Sequence, residues 1–227
     1  MGPEKSAIAG LEVLLVGGAG GLGSVAAELL EAEGARVTIS SRHRGLRADV
    51  TKAADRKWLL DAVPKLYGLV VFTGTPARNG GEDAMRQSHE VNYEGPILLA
   101  REAAERMKSG GTAGAIVLFS TMQAISLFPG STAYAGEKAA LLHAARILAK
   151  ECRGAANIRV NVIAPGVMAA GMAEASIESG KYVRYLTDGA IPRYGKAIDV
   201  ARATRFFLEP DNYITGQVLS VDGGITL

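Results

Sequence analysis

The chain has 227 residues, 48% of them hydrophobic and 21% charged, with a formal net charge of +2. That length suits one α/β domain with a sizeable core, in the ordinary composition range of globular proteins. Basic residues are scattered except at Arg42-His43-Arg44-Gly45-Leu46-Arg47, too short a cluster for the basic face of a nucleic-acid binder.

In chain order, Glu12-Val-Leu-Leu-Val16 is a short apolar run ending at glycines, the pattern of a buried strand. Residues 22–33 predict a helix with Val25, Leu29 and Leu30 on its apolar side and Gly34 as its stop. Residues 35–40 predict the second strand and 46–50 a third, after a connection too short for a helix. A helix over 52–63 and a strand over 67–73 follow. A long helix over 82–107 leads to the strand 115–119, and a helix over 132–151 to the strand 158–163. Residues 168–190 are rich in Met and Ala and show no clean period. A helix over 198–208 and a closing strand over 217–221 complete the chain. Strands alternating with helices predict a parallel sheet covered on both faces. No linker or repeat divides it, so residues 1–227 are expected to form one domain. Cys152 is the only cysteine, which rules out an internal disulfide and fits a reducing compartment. No apolar run reaches the ~18–20 residues of a membrane span, and the first residues lack a signal peptide's apolar core. A cytoplasmic protein is expected.

Two features carry chemistry. Gly17-Gly18-Ala19-Gly20-Gly21-Leu22-Gly23 ends the first strand and opens the first helix. Alone it could be a tight turn. In an alternating α/β chain it favours a dinucleotide site, where the backbone approaches a pyrophosphate resting on helix amides. Tyr134-Ala135-Gly136-Glu137-Lys138 places a phenol and an ammonium four residues apart on one helix face. A neighbouring cation is expected to lower the phenol's pKa and make it a proton-transfer group.

Together these motifs resemble the short-chain dehydrogenase/reductase family. The further matches are Asn92 in Val-Asn-Tyr-Glu-Gly, Pro165-Gly166 after Arg-Val-Asn-Val-Ile-Ala, and Tyr213-Ile-Thr-Gly-Gln217 leading to Val221-Asp-Gly-Gly224. The likeness runs from about Leu11 to the C-terminus, and the block from Ile191 resembles the 3-oxoacyl-carrier-protein reductase-like branch. The resemblance implies a doubly wound Rossmann-type domain with a seven-stranded parallel sheet, a nicotinamide cofactor and a homotetramer. It assigns Tyr134 as the acid/base and Lys138 as its tuner and ribose ligand. Asn92 helps hold a water, and a hydroxyl steadies the substrate oxygen. That hydroxyl is expected from Thr121, thirteen residues before Tyr134, with Ser120 as the alternative. The cofactor set comprises Gly17, Gly21, Leu22, Gly23, Gly74, Tyr134, Lys138, Pro165, Gly166 and Met168, with Asp49 and Val50 at the adenine.

At the end of the second strand, where an acidic residue would select NAD, the chain has Ser41 and Arg42. A hydroxyl and a guanidinium suit a 2′-phosphate, so NADP(H) is expected over NAD(H). Two departures from the family pattern are Val71-Phe72-Thr73-Gly74 in place of Asn-Asn-Ala-Gly, and Met168-Ala169-Ala170 where a threonine is common. Both imply weaker cofactor binding and motivate a second reading, an NADP(H)-binding sensor with little turnover. A dehydratase or epimerase using the same Tyr/Lys pair is a third. His89 and His143 lack a second ligand at metal spacing, so no metal is expected. Glu137 is expected on a solvated face or at a subunit contact. Met168, Met172, Tyr182, Tyr185 and Leu186 are expected over an apolar substrate pocket, or in the core. The substrate is a carbonyl/alcohol pair interconverted by hydride transfer.

Overall fold

A computed structural model describes residues 6–75 and 81–227. Seven parallel strands form one sheet in the order β3-β2-β1-β4-β5-β6-β7. They are β1 (Glu12–Val16), β2 (Arg36–Ser41), β3 (Leu46–Arg47), β4 (Leu66–Val71), β5 (Gly114–Phe119), β6 (Ile158–Pro165) and β7 (Val218–Val221). The helices are α1 (Gly21–Ala32), α2 (Ala53–Ala62), α3 (Glu82–His89), α4 (Gly95–Ser109), α5 (Thr132–Glu151), α6 (Glu174–Glu178), α7 (Val183–Thr187) and α8 (Ala197–Leu208).

Strand residues alternate between faces, and the core divides accordingly. Leu14, Val16, Leu69, Ile116 and Val160 pack under α4 and α5, whereas Val13, Leu15, Val70 and Val117 pack under α1 and α8. Both faces are therefore dry, which explains why the strands read as continuous apolar runs. Two polar residues of the fully buried β6 tie other elements to it. Arg159 donates to the Phe207 carbonyl at 3.1 Å and to the Tyr67 hydroxyl at 2.9 Å, and Tyr67 donates to the Leu208 carbonyl at 3.1 Å. These bonds cover carbonyls that the end of α8 leaves open. Asn161 donates to the Ile214 carbonyl and accepts from the Gln217 amide, which aims the chain into β7.

Three expectations need correction. The third strand is two residues long rather than five, because Asp49 turns the chain by accepting from the Thr51 amide and hydroxyl. The long helix over 82–107 is interrupted by a π-helical segment, Glu90–Glu94, which contains Asn92. Such insertions recur at functional sites. Residues 168–190 hold short helical turns, α6 and α7, hung from a parallel bridge between Met168 and Gly195.

Candidate active site

The chain winds from β1 outward to β3, then returns to place β4 on the other side of β1. Ligands of open α/β sheets bind in the crevice beyond the strand ends at such a reversal. Here the crevice is walled by backbone. A side chain on Gly17, whose φ is +77°, would come within 3.1 Å of the Thr73 amide. One on Gly23 would stand 2.5 Å from the Gly18 Cα. Among the described residues no side chain caps the start of α1, so amides of its first turn, Gly21 to Gly23, remain for an anion. Thr73 Oγ1 is buried with no protein partner among the described residues. The crevice thus fits a dinucleotide, with a glycine cradle for the diphosphate and a spare hydroxyl beside it. Gly21 also lets the backbone of Gly171 approach, since a Cβ there would lie 2.9 Å from the Gly171 amide.

Beyond β2, the basic loop is ordered by Ser41. Its hydroxyl donates to the Arg44 carbonyl at 2.8 Å and accepts from the amides of His43 and Arg44 at 3.2 and 2.8 Å. One donor and two lone pairs are the whole capacity of a hydroxyl. The hydroxyl expected at a 2′-phosphate thus shapes the turn that carries Arg42 and Arg44. Arg42 and Arg44 are left exposed. Gly45 closes this loop at φ +69°, and a Cβ there would lie 2.1 Å from the Ile39 carbonyl oxygen. Gly45→Ala is expected to cost ~2–3 kcal/mol, read as a Tm lower by roughly 5–10 °C. It should weaken NADPH binding as well by displacing both arginines. Asp49 is half-buried and Val50 buried at the foot of the same loop.

The chemical groups converge around Gly74. A Cβ on that glycine would meet Asn92 Oδ1 at 3.4 Å, Lys138 Nζ at 3.7 Å and Met172 Cε at 3.7 Å. Lys138 is 2% exposed, and its ammonium donates to the carbonyls of Thr73 at 3.0 Å and Phe119 at 2.9 Å. With three donors on the ammonium, one remains for a ligand. Burial lowers Lys138 to about 8, and the Glu137 charge acts in the opposite direction. Tyr134, one turn earlier on α5, is pushed up to about 12 by burial, opposed by the Thr121 hydroxyl and reinforced by Glu137 and Tyr182. The expected lowering of Tyr134 by Lys138 is corrected here. The ammonium is turned to two carbonyls, and desolvation of the phenol dominates.

The two candidate hydroxyls separate cleanly. Ser120 donates to the Lys138 carbonyl at 2.9 Å and serves the packing of β5 on α5. Thr121 caps the 3₁₀ turn Met122–Ala124 and stands beside the Tyr134 phenol. Asn92 lies in the π segment, with Oδ1 accepting from the Thr75 amide and Nδ2 donating to the Thr75 carbonyl, both at 2.9 Å. Pro165 ends β6, and Gly166 lies so close to Asp222 that a Cβ would come within 2.6 Å of its Cα. Met168 does not line the crevice by its side chain, which is 3% exposed and packed in the core under α8.

Glu137 is not solvated. It is 8% exposed, and Oε2 accepts from Ser88 Oγ at 2.7 Å and Asn92 Nδ2 at 2.9 Å. Sequence reasoning missed both Glu137 and Ser88. The signal was helical phase, since Glu137 stands four residues before Leu141 on the buried stripe continuing through Ala145 and Leu148. Met122, Val167 and Tyr182 form a separate apolar cluster over the site, with Tyr185 against it, while Met172 is 54% exposed. Among the described residues no group of three potential metal ligands occurs, and no helix is long and apolar enough to cross a membrane.

Residues 59–226 match the family model described as enoyl-(acyl carrier protein) reductase. Carbonyl reductase family member 4 of Danio rerio is 34% identical over 243 residues, covering 94% of this chain and 97% of the relative. A 3-oxoacyl-(acyl-carrier-protein) reductase of Rattus norvegicus is 32% identical over 235 residues, covering 93% of this chain and 96% of the relative. A solved small-chain dehydrogenase in complex with NADPH matches with a TM-score of 0.83 at 27% identity, covering 96% of this chain and 99% of that one. The chain belongs to the short-chain dehydrogenase/reductase family. It is an enzyme, an oxidoreductase acting on CH–OH or carbonyl groups.

Proposed function

We propose that the protein is an NADP(H)-dependent reductase that interconverts a carbonyl compound and a secondary alcohol, with Tyr134 as acid and base. The observation that supports this reading is the placement of the Lys138 ammonium on the Thr73 carbonyl beside the Gly17 turn, with the Thr121 hydroxyl beside the Tyr134 phenol one turn earlier on the same helix. When bound, the nicotinamide supplies or takes up the hydride at the substrate carbon. Tyr134 keeps its proton through the neutral range and can give it to a carbonyl oxygen as negative charge builds there. Thr121, beside that phenol, orients the same oxygen. Lys138 presents its remaining donor to the cofactor side, and Asn92 holds the turn over which it lies. The apolar cluster of Met122, Val167 and Tyr182 favours a substrate with an apolar body. NADPH oxidation against a panel of ketones, aldehydes and 3-oxoacyl thioesters tests the reading. Turnover of at least one class is expected, and tight NADPH binding with no turnover of any would overturn it.

The cofactor preference rests on the exposed Arg42 and Arg44, which offer planar forks of donors to a 2′-phosphate. Arg42→Ala is expected to weaken NADPH binding ~10-fold or more, the scale of one lost charge-assisted bond. NADH binding should change less than about twofold by the same reasoning. Fluorescence titration with both nucleotides reads the difference, and equal losses would count against the assignment. Family resemblance favours a cytoplasmic homotetramer in which residues 1–227 act as one cofactor-binding domain. The exposed apolar side chains of Phe206 and Leu219 support association.

A further inference from the structure

We propose that Glu137 is a positioning residue for the proton-transfer site, acting through Asn92 to fix the turn 73–75 on which the Lys138 ammonium rests. The inference builds on the reductase reading above and adds a residue to its machinery.

The Asn92 amide has two N–H donors and faces three acceptors, Glu137 Oε2, Ser88 Oγ and the Thr75 carbonyl, each at 2.9 Å. Ser88 spends its own proton on Glu137 Oε2 at 2.7 Å, so its oxygen is free to accept from Asn92. Asn92 Oδ1 meanwhile accepts from the Thr75 amide at 2.9 Å. Flipping the amide would set Oδ1 against the carboxylate and lose the donors to all three acceptors. Glu137 therefore reinforces, from the α5 side, the one orientation of Asn92 that clamps both backbone groups of Thr75.

Two residues earlier, the Thr73 carbonyl receives the Lys138 ammonium at 3.0 Å. Glu137 and Lys138 are adjacent on α5, yet they grip opposite ends of the same turn, one through Asn92 and one directly. Gly74 lies between the two grips, with Asn92 Oδ1 and Lys138 Nζ each within 4 Å of where its Cβ would be. The end of β4 offers only apolar Val71 and Phe72 before this turn. The polar support comes from across the crevice, from the π segment and α5. A buried network with every member partnered is rigid, and one missing member leaves the rest loose.

The test compares Glu137→Gln with Glu137→Met, two side chains of similar size. Gln keeps an acceptor oxygen at the position of Oε2, and Met does not. With NADPH and the carbonyl compound that the wild type reduces fastest in the panel above, Glu137→Met should lose ~10-fold or more in kcat, the scale of sub-ångström misplacement. Its KM should change less than about threefold, and Glu137→Gln should recover most of the loss. Amide hydrogen exchange at Thr75 is the second measurement and needs no activity. Exchange should accelerate in Glu137→Met and stay near wild type in Glu137→Gln. Should Glu137→Met not fold, Ser88→Ala is measured by the same exchange and should also accelerate it. Unchanged Thr75 exchange in Glu137→Met or Ser88→Ala would overturn the proposal, as would equal impairment of the Gln and Met variants. A wild type without turnover, but with the exchange pattern intact, would remove the reductase reading and leave the clamp standing.

Discussion

Tyr134→Phe is expected to lower kcat for carbonyl reduction by ~10³-fold or more while NADPH affinity stays within about threefold, since general acid catalysis contributes up to about 10⁴. The substitution removes one oxygen and keeps the ring. The phenol's neighbours are the Thr121 hydroxyl and the side chains of Glu137 and Tyr182, and none of these needs the tyrosine oxygen to hold its place. Thr121 already caps its own turn, and Glu137 is satisfied by Ser88 and Asn92. What disappears is the phenol proton, which burial holds well above neutrality. Initial rates at saturating NADPH and a fluorescence titration measure the two halves of the expectation. A variant within tenfold of wild type would show that the proton comes from elsewhere, the Lys138 ammonium first among the candidates.

Lys138→Met is expected to erase a rise in stability that the wild type shows between pH 8 and 10.5. Burial lowers Lys138 from 10.5 to about 8 in the folded protein. Between these values the unfolded chain still binds the proton and the folded one does not, so wild-type stability climbs with pH. The stability this group contributes is full above its unfolded pKa and is lost as pH falls through the folded one. The size is about 3 kcal/mol, taken at ~1.4 kcal/mol per pKa unit. Methionine cannot titrate, and its loss of the bonds to Thr73 and Phe119 lowers stability alike at every pH. The difference between wild type and variant should therefore widen by that amount across the window, as read by urea unfolding at pH 7.5, 9 and 10.5. A constant difference would mean that the ammonium keeps its proton when buried.

Most of the architecture was legible because its causes are local. Apolar runs of strand length, glycines at their ends and helical phase between them predicted the sheet, and the glycine loop lies where its spacing placed it. Thr121 lies beside the Tyr134 phenol, while Lys138 and Asn92 meet at the Gly74 turn. What stayed hidden depends on partners remote in sequence. Ser41 is the local exception, since the Arg44 carbonyl and the amides of His43 and Arg44 that engage its hydroxyl lie only two and three residues on. The π segment at Asn92 violates the regular period of its own helix, and only packing against α5 makes the irregularity worthwhile. Glu137 was misjudged for the opposite reason. Its residue type outweighed its phase, although the stripe through Leu141 already pointed it inward.

The covering segment leaves the sheet at Met168 and returns at Gly195, where the Ala169 amide reaches the Gly195 carbonyl at 2.7 Å and the Gly195 amide reaches the Val167 carbonyl at 2.9 Å. Those bonds shut the loop at its root. Residues 169–194 can lengthen, shorten or change composition while the strands beneath keep their register, because doubling a closed loop costs only ~0.6 kcal/mol. Tyr134 and Lys138 lie on α5 and Thr121 just past the end of β5, outside this neck. On the proposed reading, the neck leaves the outer part of the segment free to vary, whereas Gly171, Met172 and Tyr182 are tied to the site by their approach to Gly21, Gly74 and Tyr134.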